Sequence, residues 1–261
     1  GSGEAIILRV RLPRVLCVAL TGASRSLCGA AMQGLLRNPL ADGSTLGVSS
    51  GASLGAVLAI VLGMQFPGLP FAGTMVMAML FAFGSLALIL TLAYALDRSL
   101  ATGTIILIGV VFSMFVSSLM NLLITFAGEK IKSITFWTLG SLSGSTYVNA
   151  LTLLLALTVC GGVLLALGGA LNAFALGEEQ GQHLGVSVRR VKLTVMAAVS
   201  VLLGVCVSIG GAIGFVGLVI PHMVRLVLGP DHRRLLPASL LAGAVFLLLA
   251  DLVGRTLLSP I

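Results

Sequence analysis

A chain of 261 residues that is 58% hydrophobic and 9% charged, with a mean hydropathy of +1.16, cannot present a water-facing surface of ordinary composition. Soluble domains carry about 25% charged residues; here 15 Lys and Arg with 8 Asp and Glu leave most of the surface to lipid. The net charge of +7 does not indicate a nucleic-acid binder, because the basic residues are scattered between apolar runs, as in the loops of a membrane protein.

Gly is abundant at 33 and aromatics are scarce at 5%, which favours closely packed helices over a β-barrel with aromatic girdles. The fold class expected is all-α, a polytopic transmembrane bundle. A span needs roughly 20 apolar residues, so about eight helices fit, at roughly 14–36, 46–64, 71–96, 103–127, 147–172, 191–209, 212–228 and 235–254. No long linker divides them, and residues 4–261 read as a single domain. Gly1-Ser2-Gly3 reads as a cloning remnant.

The chain opens with Arg9, Arg11 and Arg14, and its first span holds Arg25 in mid-run. An intramembrane charge is a functional suspect, with snorkelling to the interface as the plain alternative. Arg37-Asn38-Pro39 closes that span. The second opens on Gly47, Gly51 and Gly55, one helix face suited either to close packing or to a pore-lining stripe. Breaks follow at Phe66-Pro67-Gly68-Leu69-Pro70, Asp97-Arg98-Ser99 and Glu129-Lys130-Ile131-Lys132.

Residues 133–146, with Trp137, are too short to cross and suit a short interfacial or re-entrant helix. The longest polar interruption, 173–190, includes Gly177, Glu178, Glu179, Leu184 and Gly185, and has room for one or two short helices outside the bilayer. Gly210-Gly211 permits a tight turn. Asp251 and Arg255, in the last span, form an i, i+4 pair.

With this order of spans, Arg37, Arg98, Arg189, Arg190, Lys192, Arg225, Arg233 and Arg234 share one side, against Lys130 and Lys132 on the other. The positive-inside rule places the richer set in the cytoplasm. That leaves Arg9, Arg11, Arg14 and Arg255 outside, where they need a separate reason.

No phosphate-binding GxxxxGK[ST] occurs, and His183, His222 and His232 lie far apart without metal-ligand spacing. Cys17, Cys28, Cys160 and Cys206 sit in apolar runs and read as small buried hydrophobes. The sequence thus predicts no catalytic site, no cofactor and no metal. An ATP-independent secondary transporter or channel is a second reading. That class usually places ionisable groups at mid-membrane, where only Arg25 stands here. A non-transporting membrane scaffold is a third.

Several collinear segments resemble the FecCD-type permeases of type II ABC importers, which take up iron-siderophore, haem or cobalamin. They are Arg11-Leu12-Pro13-Arg14, Met32-Gln33-Gly34-Leu35-Leu36-Arg37-Asn38-Pro39-Leu40-Ala41-Asp42, Leu46-Gly47-Val48-Ser49-Ser50-Gly51-Ala52, Ala175-Leu176-Gly177-Glu178-Glu179 with Leu184-Gly185-Val186, and Gly211-Ala212-Ile213-Gly214-Phe215-Val216-Gly217-Leu218-Val219-Ile220-Pro221-His222. The resemblance implies a multi-pass permease of the bacterial inner membrane, working as a dimer with cytoplasmic ATP-binding subunits and a substrate-binding protein outside. Its family pattern has ten spans, a first one before Arg11 and a last one beyond Ile261. It implies docking of the binding protein by Arg11, Arg14 and Arg255. It further implies a cytoplasmic gate at Asn38, Leu40 and Thr102, and ATPase coupling through Gly177, Glu178, Glu179, Leu184 and Gly185.

Overall fold

The computed structural model describes residues 2–67 and 72–257. Gly1, the expected break at Gly68-Leu69-Pro70 and the ending Ser259-Pro260-Ile261 lie outside the described residues. A helical lead, Ser2–Ile6 and a π turn Ile7–Arg11, runs into α1 (Leu12–Leu36). The wide turn, closed by the Leu12 N–H on the Ile7 carbonyl, directly precedes Pro13, which has no N–H to offer an α-helical ladder. Then follow α2 (Val48–Val61), α3 (Ala72–Leu96), α4 (Thr102–Phe126), α5 (Ile131–Leu139) and α6 (Tyr147–Ala166). The chain continues through α7 (Gly168–Ala175), α8 (Glu178–His183), α9 (Val188–Gly210), α10 (Val216–Leu228) and α11 (His232–Leu257).

Among the described residues five helices, α3, α4, α6, α9 and α11, are long and apolar enough to cross a membrane. The molecule is a polytopic helical bundle. α1 has the length but carries Arg14, Arg25 and Gln33, and protein rather than lipid encloses it. It packs on α9, α10 and α11, and all of its residues from Thr21 to Leu36 are buried. α3, α4 and α11 instead expose broad apolar faces, with Leu80, Met114, Phe115 and Leu241 among the exposed side chains.

Two of the expected spans differ from expectation. The segment read as 46–64 forms a helix of 14 residues, and that read as 212–228 one of 13. At 1.5 Å per residue these reach about 20 Å, short of the ~30 Å of hydrocarbon in a bilayer. Both begin inside the bundle. After Leu36 the chain turns back inward, so that Gly43 lies against Val199 and Leu203 of α9, and a Cβ on Gly217 would stand 3.1 Å from the Asp42 carboxylate. The tight turn expected at Gly210-Gly211 is present, with Gly211 at φ 73°.

The glycine face of α2 serves packing rather than a pore. A Cβ on Gly51 would meet Ser85 Oγ at 1.7 Å, and one on Gly55 the Met77 carbonyl at 2.3 Å, both on α3. The same device joins α1 to α10, where a Cβ on Gly29 would stand 1.7 Å from the Gly217 carbonyl oxygen. Small residues let these backbones approach where lipid offers no hydrophobic drive for association.

Candidate functional site

At one end of the bundle, α1 and α11 bring Arg14 and Arg255 onto a single carboxylate. Arg14 donates from Nε at 3.1 Å and from Nη2 at 2.6 Å to Asp251 Oδ1. Arg255 Nε lies 3.1 Å from Asp251 Oδ2, close enough to pair ionically but off the line of a hydrogen bond. The i, i+4 pair read from the sequence is present, and Arg14 is its unforeseen third member. Two guanidiniums on one carboxylate leave a net positive charge there. Arg11 is exposed in the π turn, outside this triad.

At the opposite end, Arg37 caps α1 in a left-handed conformation (φ 50°), and Asn38 Oδ1 accepts the Leu40 N–H at 2.9 Å. This side-chain-closed turn holds Leu40 outward, 73% exposed. Thr102, the first residue of α4, is joined to a different partner: its hydroxyl points at Glu178 Oε1, 3.4 Å away. The same Oε1 pairs with Lys192 Nζ at 2.8 Å, and Nζ also donates to the Leu100 carbonyl at 3.2 Å.

Glu178 and Glu179, read alike from the sequence, therefore separate. Glu178 turns inward to a buried lysine, while Glu179 faces out with Leu184, which is 64% exposed. Gly177 (φ 117°) and Gly185 (φ 81°) flank α8 with backbone that favours glycine.

Between the two ends, Arg25 is buried, not snorkelling. Its guanidinium donates to the Ile213 carbonyl and, at 2.8 Å, to the Gly211 carbonyl, fastening the turn that ends α9. The Asp42 carboxylate acts on it electrostatically. One helical turn beyond Gly29, Gln33 donates to the Leu218 carbonyl at 3.1 Å and accepts from Arg225 at 3.0 Å. These bonds and the Gly29–Gly217 approach hold α10 on α1. Along the exposed face of α4 runs an open groove lined by Ser44, Val110, Ser113, Met114, Ser117 and Ser118. α4 itself carries no charged side chain.

Sequence reasoning missed Lys192 as a buried partner and Asp251 as the residue joining two arginines. The first had a signal: Lys192 shares a helix face with Val188, Val195, Met196 and Val199, all of them buried. The second had none, since Arg14 and Asp251 stand 237 residues apart.

Comparison with known proteins gives a consistent answer. The chain is 45% identical over 259 residues, 98% of its length and 72% of the relative's, to an uncharacterized ABC transporter permease protein, YvrB, of Bacillus subtilis. It is 41% identical to the cobalamin import system permease protein BtuC of Halobacterium salinarum, covering 97% of this chain and 68% of that one. A solved structure of an ABC transporter assigned to the metal-chelate type, in an inward-facing conformation, superposes with a TM-score of 0.89 at 36% identity. That match covers 97% of this chain and 80% of the other. The family model for FecCD transport matches residues 2–261, so the chain belongs to the FecCD transport family.

Proposed function

We propose that the chain is the permease subunit of an ABC importer that carries iron-siderophore, haem or cobalamin-like cargo across a bacterial inner membrane into the cytoplasm. Two copies enclose the pathway between them, with the uncharged face of α4 as part of its wall. ATP hydrolysis on separate cytoplasmic subunits drives alternation between inward- and outward-open states, each stabilised by its own contacts. The end bearing Glu178 faces the cytoplasm and the end bearing Arg14 faces the binding protein. The excess of loop arginines at the Glu178 end supports this orientation.

In this reading Arg11, Arg14 and Arg255 receive acidic side chains of the binding protein, which planar guanidiniums can hold bidentately. Asn38, Leu40 and Thr102 close the pathway at its cytoplasmic mouth. The segment 173–190 meets the ATPase, with Gly177 and Gly185 shaping α8, Glu179 and Leu184 making the outward contacts, and Glu178 facing back into the permease.

The observation that carries the proposal is the pair of faces on α8. A short polar helix at the end of an apolar bundle presents Glu179 outward, with Leu184 exposed just past its last residue, while its other acid is tied to the first turn of α4. The test is uptake into proteoliposomes holding the permease with its ATPase and binding protein. Uptake is expected to require ATP and both partners. Uptake driven by an ion gradient without the ATPase would refute the proposal in favour of a secondary transporter.

A further inference from the structure

Lys192 is the only lysine of α9 and its side chain is 3% exposed. A buried ammonium is costly unless paired and hydrogen-bonded, and breaking such a pair is strongly destabilising. Both of its contacts lie in other elements. Glu178 Oε1, at 2.8 Å, opens α8; the Leu100 carbonyl, at 3.2 Å, belongs to the turn that delivers the chain into α4.

That turn is stiff. Leu100 is held at φ 53°, and Asp97 accepts the Ser99 N–H at 2.9 Å and the Ala101 N–H at 3.1 Å. Thr102 then adds its hydroxyl to the oxygen that pairs with Lys192. One ammonium thus ties a short surface helix and the first turn of a pore-facing helix to the most deeply buried of the long apolar helices. The start of α8 and the start of α4 share Glu178 Oε1 and Lys192 as common partners.

We propose that Lys192 is the positioning residue of coupling: through Glu178 it makes the first turn of α4 follow movement of α8. The inference rests on the reading of α8 as the ATPase contact. It adds that transmission runs through the ion pair of buried Lys192 with half-buried Glu178, not through the exposed Glu179.

The experiment uses the whole importer in nanodiscs and proteoliposomes. Gly103→Cys, next to Thr102 and with open space around it, carries a spin label reporting the distance between the two copies of α4. In the otherwise native importer the distance is expected to change with nucleotide. Lys192→Met, which keeps the aliphatic stem and removes the charge, is expected to assemble and hydrolyse ATP. Its distance change should be abolished and its uptake per ATP reduced by about tenfold or more, within the usual range of about 5–150-fold for coupling between sites. The reversed pair Lys192→Glu with Glu178→Lys should restore part of both, a rescue that a merely structural lysine would not give.

Native uptake per ATP and a native distance change in Lys192→Met overturn the proposal. Should Lys192→Met not assemble, Glu178→Gln is put through the same measurements, and native behaviour there overturns it equally. Leu184→Asp separates this inference from the reading beneath it. If that variant leaves ATPase assembly intact, α8 is not the contact and both fall. If it dissociates the ATPase while Lys192→Met stays assembled but uncoupled, both stand.

Discussion

Replacing Gly29 by Ala adds a single methyl carbon, and the structure says what that methyl meets. It would lie 1.7 Å from the Gly217 carbonyl oxygen, 2.5 Å from its carbon and 2.8 Å from its Cα, all backbone atoms that no rotamer change can move. Relief requires α10 to withdraw from α1 by more than an ångström. Withdrawal strains the bonds from Gln33 to Leu218 and Arg225 and from Arg25 to Gly211 and Ile213. Overpacking costs about 1–3 kcal/mol, and each bond lost adds about 1 kcal/mol or more. The expected destabilisation is therefore about 3–5 kcal/mol. Gly84→Ala, in the middle of α3 with nothing near its Cβ, is the control. There the higher helix propensity of Ala should leave stability unchanged or raise it by up to ~1 kcal/mol. Unfolding of the purified protein in mixed micelles measures both. If Gly29→Ala unfolds like Gly84→Ala, the close approach of α1 and α10 is not as described and the packing argument fails.

Arg25→Met should release the turn at 211–215, and faster deuterium uptake there, with α3 unchanged, is the expected result; unchanged uptake would show that the two carbonyl bonds do not hold it. The triple change of Arg11, Arg14 and Arg255 to Ala should weaken binding-protein affinity by about 30-fold or more. That corresponds to the lower end, ~2 kcal/mol, of the cost of truncating a desolvated interface pair, and the salt dependence should flatten; native affinity would refute docking at this end. Asp97 titrates below the usual carboxylate range because it accepts from the Ser99 hydroxyl and the Ser99 and Ala101 N–H groups. A depressed carboxyl contributes stability that is present above its unfolded pKa of about 3.9 and lost as pH falls through the folded value. Amide protection at Ser99 and Ala101 should therefore hold at neutral pH and fall off below about pH 4, while Asp97→Ala should show low protection throughout.

Composition and hydropathy made the helical, membrane-spanning class legible, because α3, α4, α6, α9 and α11 each carry an apolar run long enough to cross a bilayer. The two short helices were not legible as such. Gly43-Ser44-Thr45-Leu46 and Gly211-Ala212-Ile213-Gly214 are apolar or small enough to read as parts of spans, and only tertiary contact shows that the chain turns within them. The candidate site divides in the same way. Asp251 and Arg255 are neighbours on one helix and could be paired from spacing. Glu178 and Lys192 lie on separate elements joined by a loop, so their pairing needed coordinates.

The burial of α1 bears on how the chain enters a membrane. A translocating machinery hands segments to lipid one after another, and Arg25 near the middle of α1 opposes that transfer by about 2.5–3.5 kcal/mol. The guanidinium's acceptors, Gly211 and Ile213, belong to sequence made much later. The helix at the centre of the finished molecule is thus among the least suited to lipid and must wait for its protein neighbours. α2 and α10, too short to span alone, share that dependence. Biogenesis of this protein should begin from the greasy outer helices, with its interior completed only when the C-terminal half has been synthesised.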